Sequence, residues 1–163
     1  MFINLKPIKN RKVRIALVGC GRIFKKHIEA IASNSSKAEL IAICDENLNS
    51  INNAINTINE ITLRKDDFSC DPKKFSSYKD LLNYCSENNN FIDLIVLATP
   101  SGLHPNQVIS AAKVGLNTMT EKPMATRWQD GLSMVKTCDD EGVRLYVVKQ
   151  NRFNKTLQLL KKQ

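Results

Sequence analysis

The chain has 163 residues, 42% of them hydrophobic and 25% charged, with a formal net charge of +8. That length allows one domain with a real core, and no apolar run approaches the roughly 20 residues of a membrane span. The lysines and arginines are scattered and have no interleaved aromatic residues, which argues against a nucleic-acid platform and leaves solvated faces or an anionic small molecule.

The five cysteines, Cys20, Cys44, Cys70, Cys85 and Cys138, are odd in number and no pair has metal-ligand spacing, so reduced thiols and no metal are expected. The start, Met1-Phe2-Ile3-Asn4-Leu5-Lys6-Pro7, lacks the apolar region and cleavage site of a signal peptide, so the expected location is cytoplasmic.

Strand and helix patterns alternate as in a doubly wound parallel α/β sheet. Residues 1–12 read as a flexible basic lead-in and 13–150 as a dinucleotide-binding domain. Arg14-Ile15-Ala16-Leu17-Val18 is a first strand entering a glycine loop, and a helix follows from about Arg22 to Ser33. Leu40-Ile41-Ala42-Ile43-Cys44 is a second strand, apolar throughout like a parallel strand buried on both faces. Leu48, Ile51, Ala54, Ile55 and Ile58 recur at helical steps, giving a second helix. Residues 62–73 read as a loop, Lys74-Phe75 as a short strand, Tyr78 to Ser86 as a helix and Asn88-Asn89-Asn90 as a turn. Ile92 to Ala98 is a strand. Pro105 to Val114 is a helix with proline in its first turn and Gly115 after its end. Asn117 to Thr120 is a strand. Thr126-Arg127-Trp128-Gln129 fits a capping box for a helix running to about Glu141 and stopping at Gly142. Arg144 to Val148 is the last strand. Residues 151–163 open a linker and a helix, from about Asn154, into a C-terminal domain that the chain does not contain.

Three places on this pattern carry chemistry. In Gly19-Cys20-Gly21-Arg22-Ile23-Phe24 the first glycine permits a tight turn and the second lets backbone approach a pyrophosphate at a helix start. Phe24 stands where a third glycine is usual, and a plain strand-to-helix turn is the alternative. Asp45, at the end of the second strand, suits an adenosine ribose; the competing role is N-cap of the next helix. Asp45-Glu46 would repel a 2′-phosphate and no arginine follows until Arg64, which favours NAD over NADP.

The third place is Thr120-Glu121-Lys122-Pro123 at the end of a later strand. Lys122 would sit at the carboxyl edge of the sheet, where such sheets bind ligands, and burial beside a nicotinamide ring would suit it to proton transfer. The Lys-Pro bond is a candidate cis peptide that would aim the lysine inward. An ordinary charged turn is the alternative. Thr99-Pro100 ends the preceding strand and should face the cofactor. His104 is either a ligand contact or a neighbour of a helix N-cap, and His27 is expected to be a surface or packing residue. Gln150-Asn151-Arg152 leaves the last strand on the same edge. It could reach nicotinamide, or a substrate carboxylate or phosphate through Arg152, or serve as a linker.

Together, Gly19-Cys20-Gly21-Arg22-Ile23, Asp45, Thr99-Pro100 with His104, and Glu121-Lys122-Pro123 resemble the Gfo/Idh/MocA oxidoreductase family over roughly residues 13–154. Glu121 to Trp128, with Val147-Val148-Lys149-Gln150-Asn151-Arg152, is similar to nucleotide-sugar dehydrogenases of lipopolysaccharide synthesis, of the UDP-N-acetylglucosaminuronate 3-dehydrogenase type. The resemblance implies a Rossmann-type NAD-binding domain and, in the whole protein, a second α/β domain, a nucleotide-sugar substrate and a homo-oligomer. It implies a cofactor site of Gly19, Cys20, Gly21, Arg22, Ile23, Asp45, Thr99, Pro100, His104, Glu121, Lys122 and Gln150. Lys122 would be catalytic, and Lys122, Asn151 and Arg152 would meet the substrate. Another sugar or inositol dehydrogenase, a non-catalytic NAD-binding module and a methyltransferase are the competing readings. The last leaves the Lys-Pro motif without a role.

Overall fold

A computed structural model describes residues 8–88, 91–150, 154, 158–159 and 161. Six parallel strands form one sheet: β1 (Val13–Val18), β2 (Ala38–Cys44), β3 (Lys73–Phe75), β4 (Leu94–Leu97), β5 (Asn117–Thr120) and β6 (Leu145–Val147). The crossovers are α1 (Phe24–Ala32), α2 (Leu48–Thr62), α3 (Tyr78–Glu87), α4 (His104–Lys113) and α5 (Trp128–Asp140). The spatial order β3-β2-β1-β4-β5-β6 means that successive strands are added to one side of β1 and then, from β4, to the other, so the winding reverses between β1 and β4. That is the switch point of a doubly wound sheet, where a crevice opens beyond the carboxyl ends of the strands.

β1 shows why the central strands read as continuous apolar runs. Ile15 and Leu17 join a core shared with α1 and α2, whereas Ala16 and Val18 join the opposite core with α3, α4 and α5. Helices on both faces leave no solvent side to a central strand. In α2 the apolar stripe is displaced from its expected start. Leu48 is exposed, and the buried positions are Ile51, Ala54, Ile58 and Ile61. Phe24, at the usual third-glycine position, is 2% exposed and packs in the core with Ile28 and Leu17. A large side chain there fills the interior instead of allowing the closest helix–strand approach.

Two local expectations are corrected. Asp45 does not cap α2. Asn47 does, its side chain accepting from the backbone N–H groups of Asn49 at 2.9 Å and Ser50 at 3.4 Å. The Thr126–Gln129 capping box does not form either. α5 starts one residue later than the box requires, with Arg127 at the N-cap and no side-chain cap bond. Gly115 and Gly142 terminate α4 and α5 with φ of 75° and 68°, conformations that favour glycine. Asn89, Asn90 and most of the expected helix from Asn154 lie outside the described residues. Among the described residues no helix is long and apolar enough to cross a membrane.

The amino edge of the sheet is fastened by Asp93, just before β4. Arg11, within the stretch read as a lead-in, donates to both its carboxylate oxygens at 2.6 and 2.8 Å, and the Arg14 backbone N–H donates at 2.8 Å. Burial alone would raise the Asp93 carboxyl, but these bonds outweigh it and hold it at about 2. The folded value lies below the unfolded value of about 3.9, so the stabilisation is complete above about pH 4 and is lost as pH falls towards 2. Asp93→Asn should therefore lower stability at pH 7 by on the order of 1 kcal/mol, discounted for screening around Arg11. In thermal melts the gap from the parent should close between about pH 4 and pH 2; a gap independent of pH would show that the ion pair is not its source.

Candidate functional site

All six strands end on the carboxyl edge. β1 runs into Gly19, whose N–H donates to Cys44 O at 2.8 Å, and Val18 O accepts from Ala98 N–H at 2.7 Å. Gly19 has φ of 95°, and a Cβ there would lie 2.7 Å from the backbone C and O of Ala98. Only glycine lets the loop pass over the end of β4. Gly21 differs: nothing lies within 4 Å of a Cβ built there. Its bare backbone faces open space at the start of α1. That helix start has no side-chain cap bond and no acidic residue in its first turn, with Ile23 at the N-cap. The Phe24 and Lys26 N–H groups are bonded within the turn, to Gly21 O and Ile23 O, so the open backbone at Gly21 and the positive end of the helix dipole are what make this an anion site in chemical terms. Arg22 and Ile23 are exposed beside it.

Cys20 is buried, and burial, reinforced by Asp45, pushes its thiol up to about 12, so it acts here through its backbone and not as a nucleophile. Its N–H donates to one Asp45 oxygen at 2.8 Å, and the other oxygen accepts from Asn47 N–H at 2.8 Å. Asp45 thus ties the glycine loop to the end of β2. A carboxylate offers about four acceptor positions, so lone pairs remain for a ribose diol.

A cleft of about 310 Å³ opens beside the loop. Gly19, Gly21, Asp45, Thr99 and Pro100, all expected from the sequence to meet the cofactor, line it together. Glu46, read from the sequence as a group that would repel a 2′-phosphate, lines it too, and so do Tyr78, Leu103 and Gln107, which were not singled out from the sequence. Thr99 Oγ1 donates to Gln107 Oε1 at 2.6 Å, and the Tyr78 hydroxyl donates to Gln107 O at 2.8 Å. Burial pushes the Tyr78 hydroxyl well above its usual range, which keeps it a neutral donor. These residues come from α3 and α4, and nothing in a linear reading marks their convergence.

The Glu121-Lys122-Pro123 turn follows β5 on the same edge, and Glu121 N–H donates to Leu97 O at 3.0 Å. The Lys122–Pro123 peptide is cis, as the motif suggested. Lys122 itself is exposed, so the expected burial is not supplied by the described residues. His104 does not line the cleft. It is fully buried, with Nδ1 3.1 Å from Pro123 O and Nε2 3.0 Å from Thr99 O. Both ring nitrogens lie against backbone carbonyls, of which a neutral ring can donate to one, and neither nitrogen faces the cleft. His27 is not a plain surface residue, because its Nε2 lies 3.0 Å from Glu121 Oε1. Gln150 is exposed after β6 and is not part of the cleft lining, and Asn151 and Arg152 lie outside the described residues.

Comparison with known proteins agrees with this geometry. A model of an oxidoreductase family with an NAD-binding Rossmann fold matches residues 13–149. The WlbA dehydrogenase of Bordetella pertussis, solved with NADH and UDP-GlcNAcA, is 50% identical, with a TM-score of 0.73 over 93% of this chain and 41% of that one. The WlbA dehydrogenase of Chromobacterium violaceum, solved with the same two ligands, is 43% identical, with a TM-score of 0.77 over 98% of this chain and 41% of that one. Inositol 2-dehydrogenase 4 of Saccharopolyspora erythraea is 28% identical over 141 residues, 86% of this chain and 37% of its own length. The chain therefore spans well under half the length of these relatives.

The two loop glycines should separate folding from binding. Gly19→Ala should cost about 1–3 kcal/mol in backbone strain alone and abolish NAD binding with it. Gly21→Ala should leave the melting temperature within the scatter of a neutral surface change while weakening NAD in calorimetry. A Gly19→Ala variant that melts and binds like the parent would contradict the 2.7 Å approach to Ala98.

Proposed function

The chain belongs to the Gfo/Idh/MocA oxidoreductase family, and we propose that it is the cofactor half of an NAD-dependent dehydrogenase acting on the C3 hydroxyl of a UDP-N-acetylhexosaminuronate. The observation that carries this reading is the 50% identity to a dehydrogenase solved with NADH and UDP-GlcNAcA, extending over 93% of the chain. The lower identity of 28% to an inositol dehydrogenase makes an inositol the second reading.

The residues fit the cofactor. The unobstructed backbone at Gly21 and the uncapped start of α1 suit a pyrophosphate. Asp45 is aimed by Cys20 and Asn47 and would accept from the ribose hydroxyls, and beside Glu46 it would repel a 2′-phosphate. Thr99 and Pro100, with Tyr78, Leu103 and Gln107, would enclose the adenosine half in the cleft. Bound NAD supplies a hydride acceptor. Oxidation of a secondary alcohol gives up a hydride from carbon and a proton from oxygen, leaving a ketone. Lys122 is the group on this chain suited to hold the hydroxyl oxygen and pass on that proton, because its amine is exposed on the carboxyl edge. Arg152 and Asn151 are proposed to meet the anionic part of the substrate.

Calorimetry with NAD and NADP tests the cofactor half. NAD should bind more tightly than NADP, and Asp45→Ala should weaken NAD by about tenfold or more and narrow the preference, since a lost bond to a charged group is worth about 1.5–3 kcal/mol. No NAD heat, or an NADP preference that Asp45→Ala leaves alone, would sink the reading. NADH formation by the whole protein with UDP-N-acetylglucosaminuronate, and none with myo-inositol, would separate the two substrate readings.

A further inference from the structure

The only two histidines of the chain both contact the Glu121-Lys122-Pro123 turn, and neither faces the cleft. His104 holds the Pro123 carbonyl from below. His27 acts from a different element, one turn into α1, the helix that follows the glycine loop. Its Nε2 is buried and lies 3.0 Å from Glu121 Oε1. The pair is a close polar contact and not an aligned hydrogen bond, and the nitrogen has no other partner among the described residues. Both side chains are largely shielded, at 16% and 17% exposure, which strengthens a polar contact relative to one in water. Burial lowers the His27 imidazole below its usual range, more than Glu121 raises it, and a neutral ring meets the carboxylate favourably when its proton is on Nε2.

The other Glu121 oxygen, Oε2, faces the Lys122 backbone N–H at 3.3 Å. Both oxygens are therefore engaged by groups other than the lysine amine. Among the described residues no carboxylate pairs with the Lys122 ammonium. Glu121 and Lys122 are neighbours in sequence, yet their charges do not meet. A lysine paired with carboxylate keeps its proton and is a poorer partner for a hydroxyl.

We propose that His27 is a positioning residue that draws the Glu121 carboxylate onto α1, away from the Lys122 ammonium, leaving that amine free for the substrate. The inference rests on Lys122 being the proton-transfer group. It also couples the pyrophosphate helix to the reactive end of the site, since α1 carries both the anion site and the residue that holds Glu121.

Competitive acylation of lysines, read by mass spectrometry, tests it on the chain as it stands, with solvent-exposed Lys113 as internal reference. His27→Phe removes the donor and keeps a ring. Lys122 labelling should then fall about two- to fivefold, as expected for a newly made partly exposed ion pair. His27→Gln restores a donor and should label like the parent. Adding Glu121→Gln to His27→Phe should restore the parental rate. Parental labelling in a folded His27→Phe variant would overturn the proposal. If His27→Phe fails to fold, Glu121→Gln alone decides. It should change Lys122 labelling little, and a severalfold acceleration would mean that Glu121 already pairs with the lysine. NAD calorimetry on the same samples keeps the two readings apart. A parent that does not bind NAD overturns the dehydrogenase reading, whereas the labelling rates still decide whether His27 holds Glu121 away from Lys122.

Discussion

The close passage of Gly19 over the end of β4 sets the geometry of the carboxyl edge. The loop leaves β1 with a positive φ and runs so near Ala98 that no side chain fits between them. Backbone bonds from Gly19 to Cys44 and from Ala98 to Val18 then lock the ends of β2, β1 and β4 together. Everything that a nucleotide would touch hangs from that junction: the open backbone at Gly21, the start of α1, the carboxylate of Asp45 and the turn at Thr99-Pro100. The close approach at Gly19 is steric, whereas the space at Gly21 beside it is open. Two glycines in one short motif thus serve opposite purposes.

A second level of organisation lies behind the cleft and consists of polar contacts between loops. Asp45 bridges the glycine loop to the end of β2, and His104 bridges the end of β4 to the turn after β5. His27 reaches from α1 to Glu121. Each joins two segments far apart in sequence, and each places charge or a donor where a strand has just ended. Parallel sheets bring loops to one edge but do not hold them there. In this chain that task falls to a few titratable side chains, among them both histidines.

The periodic features were legible in the sequence because they reflect burial. The apolar runs of β1, β2 and β4 and the stripe of α2 follow from which faces meet the two cores. The glycine loop, Asp45 and the Lys-Pro turn were legible because a backbone requirement or a charge at a strand end restricts residue choice. Capping was not legible to single-residue precision. Asp45 and Thr126 both carry good capping side chains, yet Asn47 caps α2 and Arg127 sits at the N-cap of α5. Capping energies of about 1 kcal/mol are small beside the packing that fixes where a helix meets the sheet. Tyr78, Leu103 and Gln107 were missed in the cleft for a related reason. They are ordinary residues of amphipathic helices, and only the crossovers bring them to one wall.

The sequence by itself determined the alternation of strand and helix, the glycine loop, the acidic residue after β2 and the lysine after β5, because each is a local consequence of burial, steric room or charge. The tertiary structure alone decided what those groups do to one another. It turned His104 away from the cleft to lie between two carbonyls, brought His27 from a helix face to within 3.0 Å of Glu121, and left Lys122 without a carboxylate partner among the described residues. Those outcomes depend on distances between segments tens of residues apart, set by the sheet order and by helix packing. No window along the chain contains that information.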